Sequence, residues 1–158
     1  MNVPAWPRIL PARLEDAEAM LAMQLVAFEP EALACGLREI PPLQETVATI
    51  REHIRTAAVL KAVDGERLLG SIRGIVTGGS CLVRVLVVAP DAQGRGVGAL
   101  LLRSLEDAHP QVERFELNTN MAMPANVRFY LRHGYELVEE IRPSPQIRLA
   151  FMRKIARR

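Results

Sequence analysis

The run Val87-Val88-Ala89-Pro90-Asp91-Ala92-Gln93-Gly94-Arg95-Gly96-Val97-Gly98 carries an apolar strand into a turn with glycine at every second position. Helix-forming residues follow at once. Gly94, Gly96 and Gly98 remove side chains and leave consecutive backbone N–H groups uncovered. The helix that starts there has further donors without intrahelical partners. Reinforced by the helix dipole, such a nest suits a phosphate or pyrophosphate. Arg95 offers a cation for an outer phosphate, and Gln93 an amide that can donate to the same group. The plain alternative is a tight turn that serves only helix–sheet packing. A P-loop is excluded because no Gly-Lys-Ser or Gly-Lys-Thr follows. Gly94, Gly96 and Ala99 formally fit the dinucleotide pattern G-x-G-x-x-A, with Glu113 or Glu116 about 20 residues on. That reading is disfavoured, since Glu116 falls inside a strand and antiparallel strands precede the turn.

Working outward, Ala58 to Val63, Leu68 to Val76 and Cys81 to Val88 read as three strands. The segments Asp64-Gly65-Glu66-Arg67 and Thr77-Gly78-Gly79-Ser80 supply the turns. Connections this short allow only an antiparallel meander. The third strand is apolar on both faces and is expected at the centre of the sheet. Toward the amino terminus, Arg8 to Ala12 is a short edge strand limited by Pro11. Glu15 to Val26 reads as a helix that Phe28-Glu29-Pro30 ends. Residues 31 to 44 have no clear reading, and Glu45 to Thr56 is a second helix. Beyond the glycine turn come a helix over Gly98 to His109, a strand over Arg114 to Asn118 and a helix over Pro124 to His133. Pro124 suits the first turn of that helix, and Gly134 its left-handed cap. Tyr135 to Ile141 and Ile147 to Met152 form a closing hairpin. These elements predict an α+β (mixed α/β) fold with helices packed on a mixed sheet. One domain spans residues 8–155, between an N-terminal arm (1–7) and a basic tail (156–158).

Composition bounds the reading. The chain has 158 residues, 49% of them hydrophobic and 24% charged, which suits one domain with one core and excludes a disordered chain. Only 4% are aromatic, so Leu, Val, Ile, Ala and Met must fill the interior. A formal charge of +2 gives nucleic-acid binding no support. No stretch approaches the roughly 20 apolar residues of a bilayer span, and the first residues lack the order of a secretion signal. A cytoplasmic setting is expected, with no membrane or nucleic-acid partner. Cys35 and Cys81 are expected as reduced thiols, and neither they nor the three histidines have metal-ligand spacing.

The segment from Val83 to Leu102 resembles the acyl-coenzyme-A-binding segment of the GCN5-related N-acetyltransferases (GNAT), whose pattern is Gln/Arg-x-x-Gly-x-Gly/Ala. Here it stands as Gln93-Gly94-Arg95-Gly96-Val97-Gly98. A second stretch, Asn126-Val127-Arg128-Phe129-Tyr130-Leu131-Arg132-His133-Gly134-Tyr135, resembles that family's Asn-x-x-Phe-Tyr-x-x-x-Gly-Phe/Tyr segment. Pro11 to Ala17 resembles its first strand and helix start. The resemblance implies a mostly antiparallel sheet of about six or seven strands, flanked by about four helices and splayed at the acyl-CoA site. It also implies transfer of an acetyl group from acetyl-CoA to a primary amine, by direct attack in a ternary complex. It assigns the pyrophosphate to the amides of Gln93, Gly94, Arg95, Gly96, Val97 and Gly98, and the pantetheine arm to the strand edge at Leu86, Val87 and Val88.

Tyr130 is the candidate acid or hydrogen-bond donor for the leaving sulfur, since a phenol stays protonated at neutral pH. A core aromatic is the alternative. Asn126 contacts the coenzyme or caps its own helix. Many relatives resemble one another in placing a Glu on the central strand, where this chain has Arg84 and apolar residues. The general base is therefore unassigned: Glu29, Glu31, Glu39 and Glu116 are candidates, beside a base acting through water and an amine delivered already neutral. An acyl-CoA-binding regulatory domain without catalysis is the second expectation. Acidic residues between Glu29 and Glu39 favour a small cationic acceptor over a protein, and a homodimer through the late strands is expected. No metal site is read.

Overall fold

Two short turns set the middle of the sheet. In the computed structural model, which describes residues 6–156, β2 (Ala58–Asp64), β3 (Arg67–Thr77) and β4 (Ser80–Val88) form the expected antiparallel meander. Residues 1–5 of the arm and 157–158 of the tail lie outside the described residues. β1 (Arg8–Pro11) pairs with β2 at the sheet edge, which tolerates Pro11. β5 (Arg114–Asn120) joins β4 in parallel. The closing hairpin of β6 (Glu136–Ser144) and β7 (Ile147–Ile155) then adds with β7 innermost. The seven strands run β1-β2-β3-β4-β5-β7-β6, which puts β4 at the centre and β6 at the exposed outer edge.

α4 (Val97–Asp107) covers one face of the sheet and buries Val97, Leu101, Leu102 and Leu105 completely or nearly so. It can lie this close because β3 presents Gly70 and Gly74 to it. A Cβ on Gly74 would fall 2.9 Å from Leu105 Cδ1, and one on Gly70 would fall 2.6 Å from the Val87 carbonyl oxygen. On the opposite face α1 (Ala17–Cys35) and α3 (Val47–Thr56) enclose Ala17, Met20, Ile50 and Val59. α5 (Pro124–Arg132) packs beside β5.

Two helix boundaries correct the sequence reading. α1 does not stop at Pro30 but continues to Cys35. Pro30 removes one N–H and so frees the Val26 carbonyl; Val26 is itself 59% exposed, where water can take over. Beyond it Ala32 is buried, and Gly36 ends the helix with the Leu37 N–H reaching the Ala32 carbonyl at 3.1 Å. The next helix starts at Val47 rather than Glu45, because the Thr46 side chain accepts from the Thr49 N–H and caps it. Pro41–Gln44 forms a separate short turn of helix, α2.

Releasing Glu45 from the helix gives it another task. Its carboxylate takes both guanidinium nitrogens of Arg73 on β3, at 3.0 and 3.1 Å, and accepts from Gln24 Nε2 of α1 at 2.6 Å. Gln24 also donates to the Pro42 carbonyl at 2.9 Å. These contacts tie α1, the segment at 40–45 and the sheet into one unit. The side chains of Arg73 and Glu45 are only 6% and 17% exposed. Burial works to raise the Glu45 carboxyl, but the Arg73 and Gln24 hydrogen bonds outweigh it and hold it below its ordinary value.

Glu45→Ala leaves the Arg73 guanidinium buried without its partner, and a loss of about 3–5 kcal/mol in unfolding free energy is expected from urea titration. A loss under about 1 kcal/mol would show the pair to be dispensable. Because the folded-state value is depressed, the contribution of Glu45 is complete at neutral pH and fades as the pH falls through that value.

Candidate functional site

β4 and β5 share only the register pairs Ser80↔Arg114, Cys81↔Phe115 and Leu82↔Glu116. From Val83 onward the two strands part, while β5 stays paired to β7 as far as Asn120. The opening coincides with a bulge in β4. Between the pairs Arg73↔Arg84 and Ser71↔Val87, Val85 and Leu86 together oppose the single residue Ile72. Val85 takes φ +50°, a left-handed value that a β-branched residue adopts only under strain. The bulge re-aims the end of β4 away from β5.

Into this opening the glycine turn delivers the start of α4. Pro90–Ala92 forms a single tight turn, Gly94 and Gly96 take φ +76° and +85°, and Gly96 caps α4. A Cβ at either glycine would meet nothing within 4 Å, so backbone conformation rather than crowding requires glycine there. Across the gap stands α5, whose Phe129 ring reaches the wall at Gly98. The result is a cleft of about 570 Å³ running from the glycine turn, past Leu86, Val87 and Val88, to Tyr130 and the last turns of α1.

Most residues expected at the site line this cleft: Leu86, Val87 and Val88, then Gln93, Gly94, Gly96, Val97 and Gly98, then Asn126 and Tyr130. Two side chains are placed differently from the expectation. Gln93 Nε2 donates to the Val88 carbonyl at 3.1 Å, so its amide braces the turn instead of facing outward. Arg95 does not line the cleft; its guanidinium lies over the Trp6 ring, 4.2 Å from the centroid, an attractive cation–π contact. Met123, not Asn126, is the N-cap of α5, and Asn126 stands in the first turn of that helix at the cleft.

Tyr130 packs edge-to-face against Phe129 at 5.1 Å and Tyr135 at 5.7 Å between ring centroids. Burial, with the charge of Glu31 added to it, pushes its phenol above the ordinary value, so it stays protonated at any working pH. Tyr135 is fully enclosed and spends its hydroxyl on Glu106 Oε2 at 2.7 Å, while Lys154 holds the other Glu106 oxygen at 2.8 Å. That trio is a support for α4 and β7 outside the cleft.

The carboxylates left open by the sequence now separate. Glu116 is removed as a base: the Ser80 hydroxyl, Arg153 and Arg114 all hold it, and these contacts outweigh burial to keep its carboxyl below the ordinary range. Glu29 pairs with Arg38 at 3.8 Å, and Glu39 is exposed. Only Glu31 lines the cleft. Periodicity did not single it out because Pro30 marked the helix as finished one residue earlier. Phe28 and His133 also line the cleft, and burial lowers the His133 imidazole below its usual value. Both cysteines are free; Cys81 is buried, its thiol pushed up to about 11, and Cys35 accepts from Asn120 Nδ2 at 2.9 Å. Among the described residues no cluster of potential ligands could hold a metal ion.

The cleft is thus bounded by a central strand parted from its parallel neighbour, a glycine-rich helix start and a phenol. The acetyltransferase (GNAT) domain model matches residues 55–137, from the end of α3 through the glycine turn and α5, and the chain belongs to that family. It is 29% identical over 135 residues to UPF0157 protein YqkA of Bacillus subtilis (strain 168). That match takes in 85% of this chain but 38% of YqkA, so the chain spans well under half of that relative's length. Its fold is similar to that of a PaiA N-acetyltransferase from Thermoplasma acidophilum, solved in complex with coenzyme A (14% identity, TM-score 0.81, covering 96% of this chain and 99% of that one). It is also similar to the ribosomal-protein-S18-alanine N-acetyltransferase of Escherichia coli (16% identity, TM-score 0.78, covering 95% and 94%).

Gly96→Ala is expected to cost about 1–2 kcal/mol in urea unfolding although its methyl would touch nothing, because only the left-handed backbone is penalised. An unchanged midpoint would mean that the turn relaxes freely.

Proposed function

We propose that the protein transfers an acetyl group from acetyl-CoA to a primary amine, by direct attack while both are bound. The observation that carries this reading is the three-pair contact between β4 and β5, which opens the sheet beside the glycine turn. Two features of the cleft support acetyl-CoA as the donor. The uncovered amides of residues 93–98 suit a pyrophosphate. The freed edge of β4 at Leu86, Val87 and Val88 offers backbone groups to the amides of an extended pantetheine arm. Acetyl-CoA, when bound, supplies a thioester whose acyl group is exchanged for release of a thiol.

The chain's own residues then have separate tasks. The β4 edge orients the extended arm and holds N–H groups where oxyanion charge would develop. Tyr130 donates a hydrogen bond to the departing sulfur. Its raised value makes full loss of its proton unfavourable, so its task is stabilisation of thiolate charge more than free acid transfer. Phe28, Leu86 and Phe129 restrict water in the cleft. The acceptor is proposed as a small molecule and the setting as cytoplasmic. Among the described residues no helix is long and apolar enough to cross a membrane.

Acetyl-CoA titration tests the reading directly. Trp6 is the only tryptophan and stacks on Arg95 of the glycine turn, so its fluorescence should report binding alongside calorimetry. Micromolar binding with thiol release against an amine panel is the expected result. Binding without release on any amine would favour a regulatory acyl-CoA-binding domain, and no binding by folded protein would overturn the proposal. Gly96→Glu places a side chain and a negative charge in the nest and should abolish binding. Tyr130→Phe should lower kcat about 10- to 100-fold while acetyl-CoA affinity stays within a few-fold; an unchanged kcat would remove Tyr130 from the reaction.

A further inference from the structure

We propose that Glu31 receives the acceptor: an alkylammonium enters the cleft, pairs with the Glu31 carboxylate and gives it one proton before its nitrogen attacks. This deepens the acetyl-transfer reading and rests on it.

Three observations converge on Glu31. It stands on the part of α1 that follows Pro30 and lines the same cleft as Leu86, Val87 and Tyr130. The other carboxylates of the region are occupied or elsewhere: Glu29 is paired with Arg38, Glu45 with Arg73 and Glu116 with Arg153, while Glu39 is exposed. Glu31 itself is part-buried and has no ion-pair partner among the described residues. A part-buried carboxylate without a cation is costly to the fold, and a cation arriving from solvent relieves that cost.

Its surroundings suit it to take a proton as well. Burial raises its carboxyl above the ordinary value, and only the Asn120 side chain opposes this. Asn120 is fixed by the Ala122 N–H at 2.9 Å and by Cys35 Sγ at 2.9 Å. On α5, Tyr130 is the ionisable group that feels the Glu31 charge; Arg132 and His133 line the same wall. A carboxylate shifted toward neutrality is a better base than an exposed one. The step balances: the ammonium gives one proton to Glu31, and the C–N bond forms as the thioester C–S bond breaks. The second proton lost by nitrogen equals the one gained by the departing thiolate, and Glu31 returns its own to solvent.

The test uses the intact chain and Glu31→Gln, which keeps the shape and removes the charge. Both are saturated with coenzyme A, then titrated with n-butylamine and with n-butanol of similar shape. The wild type should bind the amine, and Glu31→Gln should weaken that binding at least about tenfold while leaving butanol affinity unchanged. Glu31→Gln should also raise the thermal midpoint by about 2–4 °C at pH 7, a gain that disappears below the carboxylate range where Glu31 is protonated in both folded and unfolded chains. Equal amine affinity in the two proteins, or a midpoint lowered by the substitution, would overturn the assignment while coenzyme binding stands. Failure of coenzyme A to bind at all would instead overturn the acetyl-transfer reading and this inference with it.

Discussion

The site depends on how briefly β4 and β5 stay together. Parallel strands need a long crossover, here the glycine turn and α4, and that crossover leaves β4 on the side where β5 departs. Had the ladder continued beyond Leu82 and Glu116, the edge of β4 would be consumed by β5 and no cleft would exist. Instead the bulge at Val85 and Leu86 bends β4 while its far side remains paired to β3 through Ser71 and Gly70. One edge of the strand is thus held by the sheet and the other left for a guest. The strain at Val85 persists because the flanking pairs on β3 over-determine it. Backbone groups on the open edge need partners once water is excluded, which is the physical basis for proposing an extended amide-bearing ligand there.

The carboxylates show how the fold divides stability from function. Glu45 and Glu116 are enclosed with guanidinium partners, and both are held below the ordinary carboxylate range. Each braces from behind an element that lines the cleft: Glu45 ties α1 to β3, and Glu116 ties β4 to β5 and β7. Glu31 lines the cleft itself, with its value shifted the other way. Since a raised carboxyl opposes folding at neutral pH and a depressed one supports it, the paired groups carry the scaffold against which the unpaired one is tolerated. Stability is concentrated behind the walls and surrendered inside them, the usual relation between a binding site and its support.

Most of the sheet was legible in the sequence because apolar runs bounded by short glycine turns report local geometry. The meander over residues 58–88 and the central place of β4 both follow from residues close in the chain. The glycine turn was legible for the same reason, since Gly94 and Gly96 adopt the backbone values that favour glycine. Side-chain direction was not. Gln93 turns back to Val88, and Arg95 stacks on Trp6, a residue distant in sequence. The intervening position of β7 between β5 and β6 likewise depends on pairs as far apart in the chain as Arg114 and Ile155, which no local pattern records.

The end of α1 links the misread boundary to the chemistry. Proline is a strong stop signal, but its cost depends on what happens to the carbonyl four residues earlier. Val26 is an exposed residue, so water can take over its carbonyl and the interruption is mild, and burial of Ala32 with the left-handed cap at Gly36 draws the helix onward. A helix stopping at Pro30 would leave Glu31 in a loop, free to turn its carboxylate to water. Continued through Cys35, the helix fixes Glu31 in the cleft wall and carries Cys35 to Asn120. The carboxylate in the cleft wall without an ion-pair partner among the described residues is therefore a consequence of helix continuation. A sequence pattern that breaks the helix at Pro30 keeps Glu31 among several candidate carboxylates but gives no ground for choosing it over Glu29 or Glu39.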